Sequence, residues 1–289
     1  MYQQLPISKN TAIKQLVFSH LWIAISIYFR TNHIEGISKE NIPLYKGRDN
    51  NRVLYISGVA LQLSKSQNRP SIHVANAIVS HLSAKCIKYF NIQIVSPGWI
   101  HLELSDQLLA TWLQNLVFKE VGEWESSRHA SPNPLSGAIP QANSQFTAQY
   151  AHARCCTLLR LACQERLIKL SQPEPGTAFW TTTGCNQIPW LNCDQMRDHH
   201  PASRRLIAEL IQVVDLEYSD SRDERKWEKA ALNLSEAFQN FWSECRIWGD
   251  VKTTNPELAQ ARLGLVLATQ SVLRFLLEDK LGIFALQEL

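Results

Sequence analysis

The spacing of apolar and polar positions changes several times along the chain. Residues 10–32 carry apolar side chains at three- and four-residue intervals, which predicts a helix. Residues 33–52 are polar and predict a loop. From Val53 the helical spacing returns through Leu61 and Leu63. Pro70 suits a first helical turn and opens a stripe of Ile72, Val74, Ala75, Ala77, Ile78, Leu82 and Ala84. The period then falls to two. Residues 92–95 read as a strand, Ser96-Pro97-Gly98 as a turn, and residues 99–104 as the returning strand. Ser105 or Asp106 then caps a helix that carries Leu108, Leu109, Trp112, Leu113 and Leu116. Residues 1–121 therefore predict an α+β domain: helices with a small antiparallel sheet.

Residues 122–144 are rich in Ser, Pro, Asn, Gly and Ala and predict an exposed linker. Beyond it, residues 145–289 predict an all-α helical bundle. The expected helices are 146–170, 202–217, one through Trp227, Leu234, Phe238, Phe241, Trp242 and Cys245 that ends at Gly249, and one from Pro256 through Leu273 and Leu276. Residues 171–200, with Pro173, Pro175, Gly176, Gly184 and Pro189, read as a loop.

Composition sharpens this division. The chain of 289 residues has 45% hydrophobic and 19% charged residues, enough apolar material for real cores and too much for a disordered protein. The net charge of +3 hides an asymmetry. Residues 1–121 hold 12 Lys and Arg against 6 Asp and Glu, and residues 122–289 hold 17 against 20. A front at +6 points to a polyanion contact there. Seven cysteines, odd in number and irregularly spaced, suit a reducing cytosol better than a disulfide scaffold. Cys185, Cys193, His199 and His200 fit no zinc-knuckle spacing, so no metal is expected. The apolar run from Leu16 to Phe29 is shorter than a membrane span, and its flanks do not make a signal peptide.

The sequence shows no phosphate loop of the Gly-x-x-x-x-Gly-Lys type and no Gly-x-Ser-x-Gly elbow. His33-Ile34-Glu35-Gly36 is a chance likeness to a nucleotide-site motif, and Asp223 and Glu224 lie in a solvated charge run. No catalytic residue and no cofactor are expected. The sharper signal is Phe146-Thr147-Ala148-Gln149-Tyr150-Ala151-His152-Ala153-Arg154. On a helix this presents an aromatic, an amide and a guanidinium side by side, which is what an unpaired base needs for stacking, edge reading and phosphate contact. The alternative is a helix that packs Phe146 and Tyr150 inside its own bundle.

Residues 149–155 resemble the first helix of the DALR anticodon-binding domain of arginyl-tRNA synthetases. Leu234-Ser235-Glu236-Ala237-Phe238-Gln239-Asn240-Phe241-Trp242-Ser243-Glu244-Cys245-Arg246-Ile247, Ala261-Arg262-Leu263-Gly264-Leu265-Val266-Leu267-Ala268-Thr269 and Leu281-Gly282-Ile283 resemble later motifs of the same domain, in order. Gly58-Val59-Ala60-Leu61-Gln62-Leu63-Ser64-Lys65 and Ser96-Pro97-Gly98-Trp99-Ile100-His101-Leu102 are similar to the N-terminal additional domain of that family. The resemblance implies tRNA as partner, arginine tRNA foremost, with Gln149, Tyr150, Arg154 and Trp242 toward the anticodon. It places Trp99 and His101 toward the tRNA elbow. The family's catalytic domain would stand between the two matched parts, where this chain has only residues 122–144. A cytoplasmic, non-catalytic tRNA-binding paralogue is the implied function, with a tRNA-modifying enzyme or a synthetase as further partner and neither membrane nor DNA.

The chain departs from the family at His101, where Asn is usual, at Phe241-Trp242 in place of Phe-Tyr, and at its last residues, Phe284-Ala285-Leu286-Gln287-Glu288-Leu289. These changes, with the net −3 of residues 122–289, keep open a regulatory or protein-interaction module that has lost RNA. A part of a split arginine–tRNA ligase is a third reading.

Overall fold

A computed structural model describes residues 12–33, 38–47, 49, 52–86, 88–117, 142–171, 181–182, 187–217 and 223–288. The chain divides into two compact units, Thr11–Leu109 and Ala110–Leu289.

The first unit is a helical layer on an antiparallel sheet. Helix α1 (Ile13–Asn32) buries Leu16, Val17, Leu21, Ala24, Ile25 and Tyr28 at helical spacing. His33, in the left-handed conformation at φ 54°, closes it by donating its N–H to the Phe29 carbonyl. The segment read as loop holds a 3-10 turn at Lys39–Asn41 and strand β1 (Tyr45–Lys46). The helix expected from Val53 begins only at Val59. Residues Leu54–Ser57 form strand β2 instead, with Tyr55 and Ser57 buried and Leu54 and Ile56 half-exposed. Four residues of alternating burial are too few for periodicity to separate strand from helix, and pairing with the neighbouring strand decides it. Helices α2 (Val59–Gln67) and α3 (Ser71–Cys86) follow, then strands β3 (Phe90–Val95) and β4 (Trp99–Leu104). The sheet order is β1-β2-β4-β3, all antiparallel. On β4, Ile100, Leu102 and Leu104 face the core and Trp99, His101 and Glu103 alternate with them. Ser105 caps helix α4 (Asp106–Val117), its Oγ accepting from the Leu108 N–H at 3.2 Å. A cap of this kind contributes about 1 kcal/mol. The division between the units falls inside α4.

The second unit is helical. It holds α5 (Ala142–Gln164), two ladders of two-residue strands, β5 (Leu170–Ser171) with β6 (Thr181–Thr182) and β7 (Leu191–Asn192) with β8 (Gln195–Met196), then α6 (Pro201–Glu217). α7 (Glu224–Glu244), α8 (Asp250–Thr254) and α9 (Pro256–Phe275) follow, and a π-helical turn spans Leu276–Lys280. The small ladders were not legible in the expected all-α bundle. The expected linker lies outside the described residues up to 141, and α5 already runs from Ala142. α5 stops at Gln164 rather than Leu170. Arg166 takes the left-handed conformation at φ 58°, and the Leu167 and Arg166 N–H groups reach back to the Ala162 and Cys163 carbonyls. That double closure is a Schellman stop built without glycine. α7 ends at Glu244, so Gly249 does not terminate it. At φ 71°, Gly249 instead turns the chain into α8. Pro256 stands in the first turn of α9, and Asn255 caps it through the Leu258 N–H at 3.2 Å.

Trp190 lies against Gly264 of α9 so closely that a Cβ there would sit 2.5 Å from the indole. Its N–H donates to Gln114 Oε1 at 2.8 Å, and the Ile188 N–H donates to the same oxygen at 3.2 Å. That amide ties the second half of α4 into this unit.

Candidate nucleic-acid interface

Two sides of α5 have opposite jobs. Ala148, Ala151, Cys155, Leu159 and Ala162 are buried at three- and four-residue spacing, and the small residues let α7 and α9 approach closely. The other side carries Phe146, Tyr150 and Arg154, each four residues after the last, a single ridge on the helix surface. Phe146 is 59% and Tyr150 46% exposed. Their rings stack at 6.3 Å with an interplanar angle of 24°. The alternative, in which these two pack inside the bundle, is therefore not met; they face solvent.

Arg154 continues the ridge toward α7. Its guanidinium sits 5.0 Å from the centre of the Trp242 ring. Trp242 follows the buried Phe241 at the rim of the apolar stripe of α7, which leaves it half-exposed. Trp248 braces it edge to face at 5.8 Å and 76°. The Trp248 indole N–H is out of solvent and has no hydrogen-bond partner among the described residues. Arg154 forms no ion pair with a carboxylate among those residues, whereas Arg160, Arg197, Arg262 and Arg274 are each paired. A guanidinium held over an indole and without a carboxylate partner among the described residues is available to a phosphate or a base face.

A buried polar hub stands behind Trp248. Asp198 accepts from Arg262 Nε at 2.9 Å and Nη2 at 3.3 Å, and also from the Ser203 hydroxyl. Arg262 Nη1 donates to the Arg246 carbonyl, which fixes the segment leading into Trp248. Burial pushes the Asp198 carboxyl up, but the bonds from Arg262 and Ser203 outweigh it and hold it below its ordinary 3.8.

The other flank of the ridge is a strap of residues 281–288. Gln149 Nε2 donates to the Phe284 carbonyl at 3.2 Å. With its amide nitrogen turned to the strap, Gln149 offers Oε1 as an acceptor, the partner that an exocyclic amino group of a base requires. His152 is fully buried. Nδ1–H donates to the Leu286 carbonyl at 2.8 Å, and Nε2 accepts from the Gln270 amide at 3.0 Å. Burial pulls its pKa below 6.5 against the pull of that carbonyl, so the ring is neutral and structural. Arg160 holds the strap further along, through Gln287 and Glu288. Burial also raises the neighbouring thiols, Cys156 to about 11, so neither Cys155 nor Cys156 is a nucleophile at neutral pH.

In the first unit, Trp99 and His101 share the sheet face away from Ile100 and Leu102. Trp99 is half-buried because it leans on Gly58, where a Cβ would come within 2.8 Å of its ring. His101 lies between Ile56 on β2 and Gln93 on β3, in a row that extends to Tyr45, which is 62% exposed. The two residues share a face, and each is half-exposed.

Among the described residues no three His, Cys, Asp or Glu side chains gather as metal ligands, and no helix is long and apolar enough to cross a membrane. Cys185 lies outside the described residues. Of the expected residues, the fold brings Gln149, Tyr150, Arg154 and Trp242 onto one surface.

Comparison with known proteins bears on that surface. The family model of the DALR anticodon binding domain matches residues 148–289. This part of the chain is a DALR anticodon binding domain. Gln149, Tyr150, Arg154, Trp242 and Trp248 all lie within the DALR match, and Phe146 stands two residues ahead of it. The chain is 32% identical over 145 residues to the arginine–tRNA ligase of Synechococcus sp. (strain JA-3-3Ab), covering 50% of this chain and 22% of that protein. It is 34% identical over 134 residues to the arginine–tRNA ligase of Pelodictyon phaeoclathratiforme (strain DSM 5477 / BU-1), covering 46% and 21%. The same enzyme of Heliobacterium modesticaldum (strain ATCC 51547 / Ice1) is 29% identical over 151 residues, covering 52% and 22%. The chain thus spans about a fifth of the length of the curated relatives it matches. No solved structure matches it.

Sequence reasoning missed two parts of the DALR surface, Trp248 and Phe284. Trp248 was signalled by an aromatic set just before a turn-forming Gly249. Phe284 carried no such signal: it stands in a mostly apolar run, residues 281–286.

Proposed function

We propose that the chain is a non-catalytic tRNA-binding protein related to arginyl-tRNA synthetase, with arginine tRNA as its first partner. The observation that carries this reading is the α5–α7 surface of the DALR domain: stacked Phe146 and Tyr150, the Gln149 amide and Arg154 on Trp242. Unpaired anticodon bases stack on the rings, a base amino group donates to Gln149, and Arg154 meets the backbone phosphate. The basic first domain adds a second hold, with Trp99, His101 and the exposed Tyr45 on its sheet face against the tRNA elbow. The sequence carries no ATP-site signature, so the role is to shelter tRNA or present it to a modifying enzyme or a synthetase in the cytoplasm. Cys155, Cys156, Cys163, Cys193 and Cys245 form no disulfide, which suits that reducing compartment.

Filter binding of arginine tRNA at low salt tests this reading. Saturable binding, weakened steeply by salt and without aminoacylation by the pure protein, is the expected result. Absence of binding would overturn it, and aminoacylation would restore the split-ligase reading. The net −3 of residues 122–289 favours one other reading, a protein-docking module. That reading requires a protein partner whose capture survives ribonuclease and is lost with charge-altering changes on the second domain.

A further inference from the structure

The strap beside α5 presents one side chain that its packing does not use. Phe284 is 71% exposed, more than any other large hydrophobic side chain among the described residues. It is not on a loose tail. Before it, the Leu281 and Ile283 N–H groups bond to the Leu276 and Leu277 carbonyls at 3.0 and 2.7 Å. After it, Ala285 is fully buried, and the Leu286 carbonyl accepts from His152. Its own carbonyl takes the Gln149 amide. Ala285 is thus packed into the protein while the adjacent Phe284 side chain stands in solvent.

The position of this ring follows from α5. Gln149 precedes Tyr150 by one residue and follows Phe146 by three, so its bond to the Phe284 carbonyl brings the strap to the side of α5 beside the aromatic ridge. Arg154, the last residue of the ridge, reaches on to Trp242. We infer that Phe284 is a further base-stacking residue of this surface, placed by the strap so that a single unpaired nucleobase lies against it while its edge meets Gln149. The inference rests on the tRNA-binding reading above and assigns the C-terminal strap a direct part in it. A fixed, outward aromatic beside an amide acceptor is what an extruded base uses, a face for stacking and an edge for reading. The Leu286 carbonyl, Gln287 and Glu288 of the strap are already engaged with His152 and Arg160 of α5.

The test is the affinity of the full chain for an RNA hairpin bearing an arginine-tRNA anticodon loop. It is measured for wild type, Phe284→Ala, Phe284→Trp and Tyr150→Ala, and repeated with each loop nucleotide in turn made abasic. Phe284→Ala is expected to weaken binding by about 5- to 150-fold. Phe284→Trp restores it to within about threefold. One abasic position is expected to cancel the effect of Phe284→Ala, because the base and the ring are then lost as a pair. Unchanged binding of Phe284→Ala alongside a loss in Tyr150→Ala would overturn the role of Phe284 and leave the surface standing. Failure of the wild type to bind any hairpin would overturn both. Because Phe284 is exposed, unfolding curves of the variants are expected to overlay that of the wild type, which separates a lost contact from a lost fold.

Discussion

Two arginines of the DALR domain sit in opposite settings. Arg262 is buried, paired with Asp198 and bonded to the Arg246 carbonyl. Arg154 is half-exposed, lies on Trp242 and has no carboxylate partner among the described residues. The guanidinium is the same; the difference is what neutralises it. A buried cation must be answered by the protein itself, because leaving it unpaired costs several kcal/mol. A cation at the surface need not be answered, and one left open is available to a ligand. The same contrast separates Phe241, fully buried in the core, from Trp242, turned to the rim. The hub around Arg262 serves the surface around Arg154 only at second hand, by fixing the backbone that leads to Trp248.

This contrast can be broken from the buried side first. Arg262→Met leaves Asp198 as an unanswered buried carboxylate, and urea unfolding is expected to show a loss of about 3–5 kcal/mol. Arg154→Ala is expected to change the same measurement by less than about 0.5 kcal/mol. Equal losses in the two variants would erase the distinction.

RNA binding should rank the variants the other way. Tyr150→Ala is expected to cost about 1–3 kcal/mol in affinity for the anticodon hairpin, measured by filter retention. Arg154→Ala is expected to reduce the salt slope of binding by about 0.7, one single-strand phosphate's worth, and to do so on every loop sequence. If Gln149 is an acceptor, replacing a loop base that bears an amino group by uracil weakens wild type more than Gln149→Ala.

The smallest effect concerns pH. His152 is held neutral, with its pKa below 6.5, so the unfolded state takes up the proton first on acidification. Its contribution to stability is complete above about pH 6.5 and is lost as pH falls through the folded value. Asp198, held below 3.8, follows the same sign in a lower window: full above 3.8, lost as pH falls through its folded value. His152→Gln is therefore expected to flatten the upper limb and leave the lower one. An unfolding free energy that rises on acidification from pH 7 to 5 would contradict the first assignment.

Much of this was legible in the sequence where the cause is local. The hairpin around Ser96-Pro97-Gly98 and the start of α9 at Pro256 follow from turn and capping chemistry within a few residues. The ridge of Phe146, Tyr150 and Arg154 follows from helix spacing alone. β2 was misread because its four alternating residues are held as a strand by pairing with β4, distant in sequence, and the end of α5 because a left-handed Arg166 replaces the usual glycine. The Asp198–Arg262 hub joins residues 64 apart, and the Gln149–Phe284 contact joins residues 135 apart. No local pattern encodes such closures; they exist only once α5, α7 and α9 have packed.

The most direct measurement is nuclease protection of arginine tRNA by the full chain, wild type against Arg154→Ala and Tyr150→Ala. The account predicts protection of the anticodon loop by wild type and its loss in both variants, with their folds intact by circular dichroism. Saturating binding that leaves the anticodon loop fully open to cleavage, or no binding at all, would contradict it.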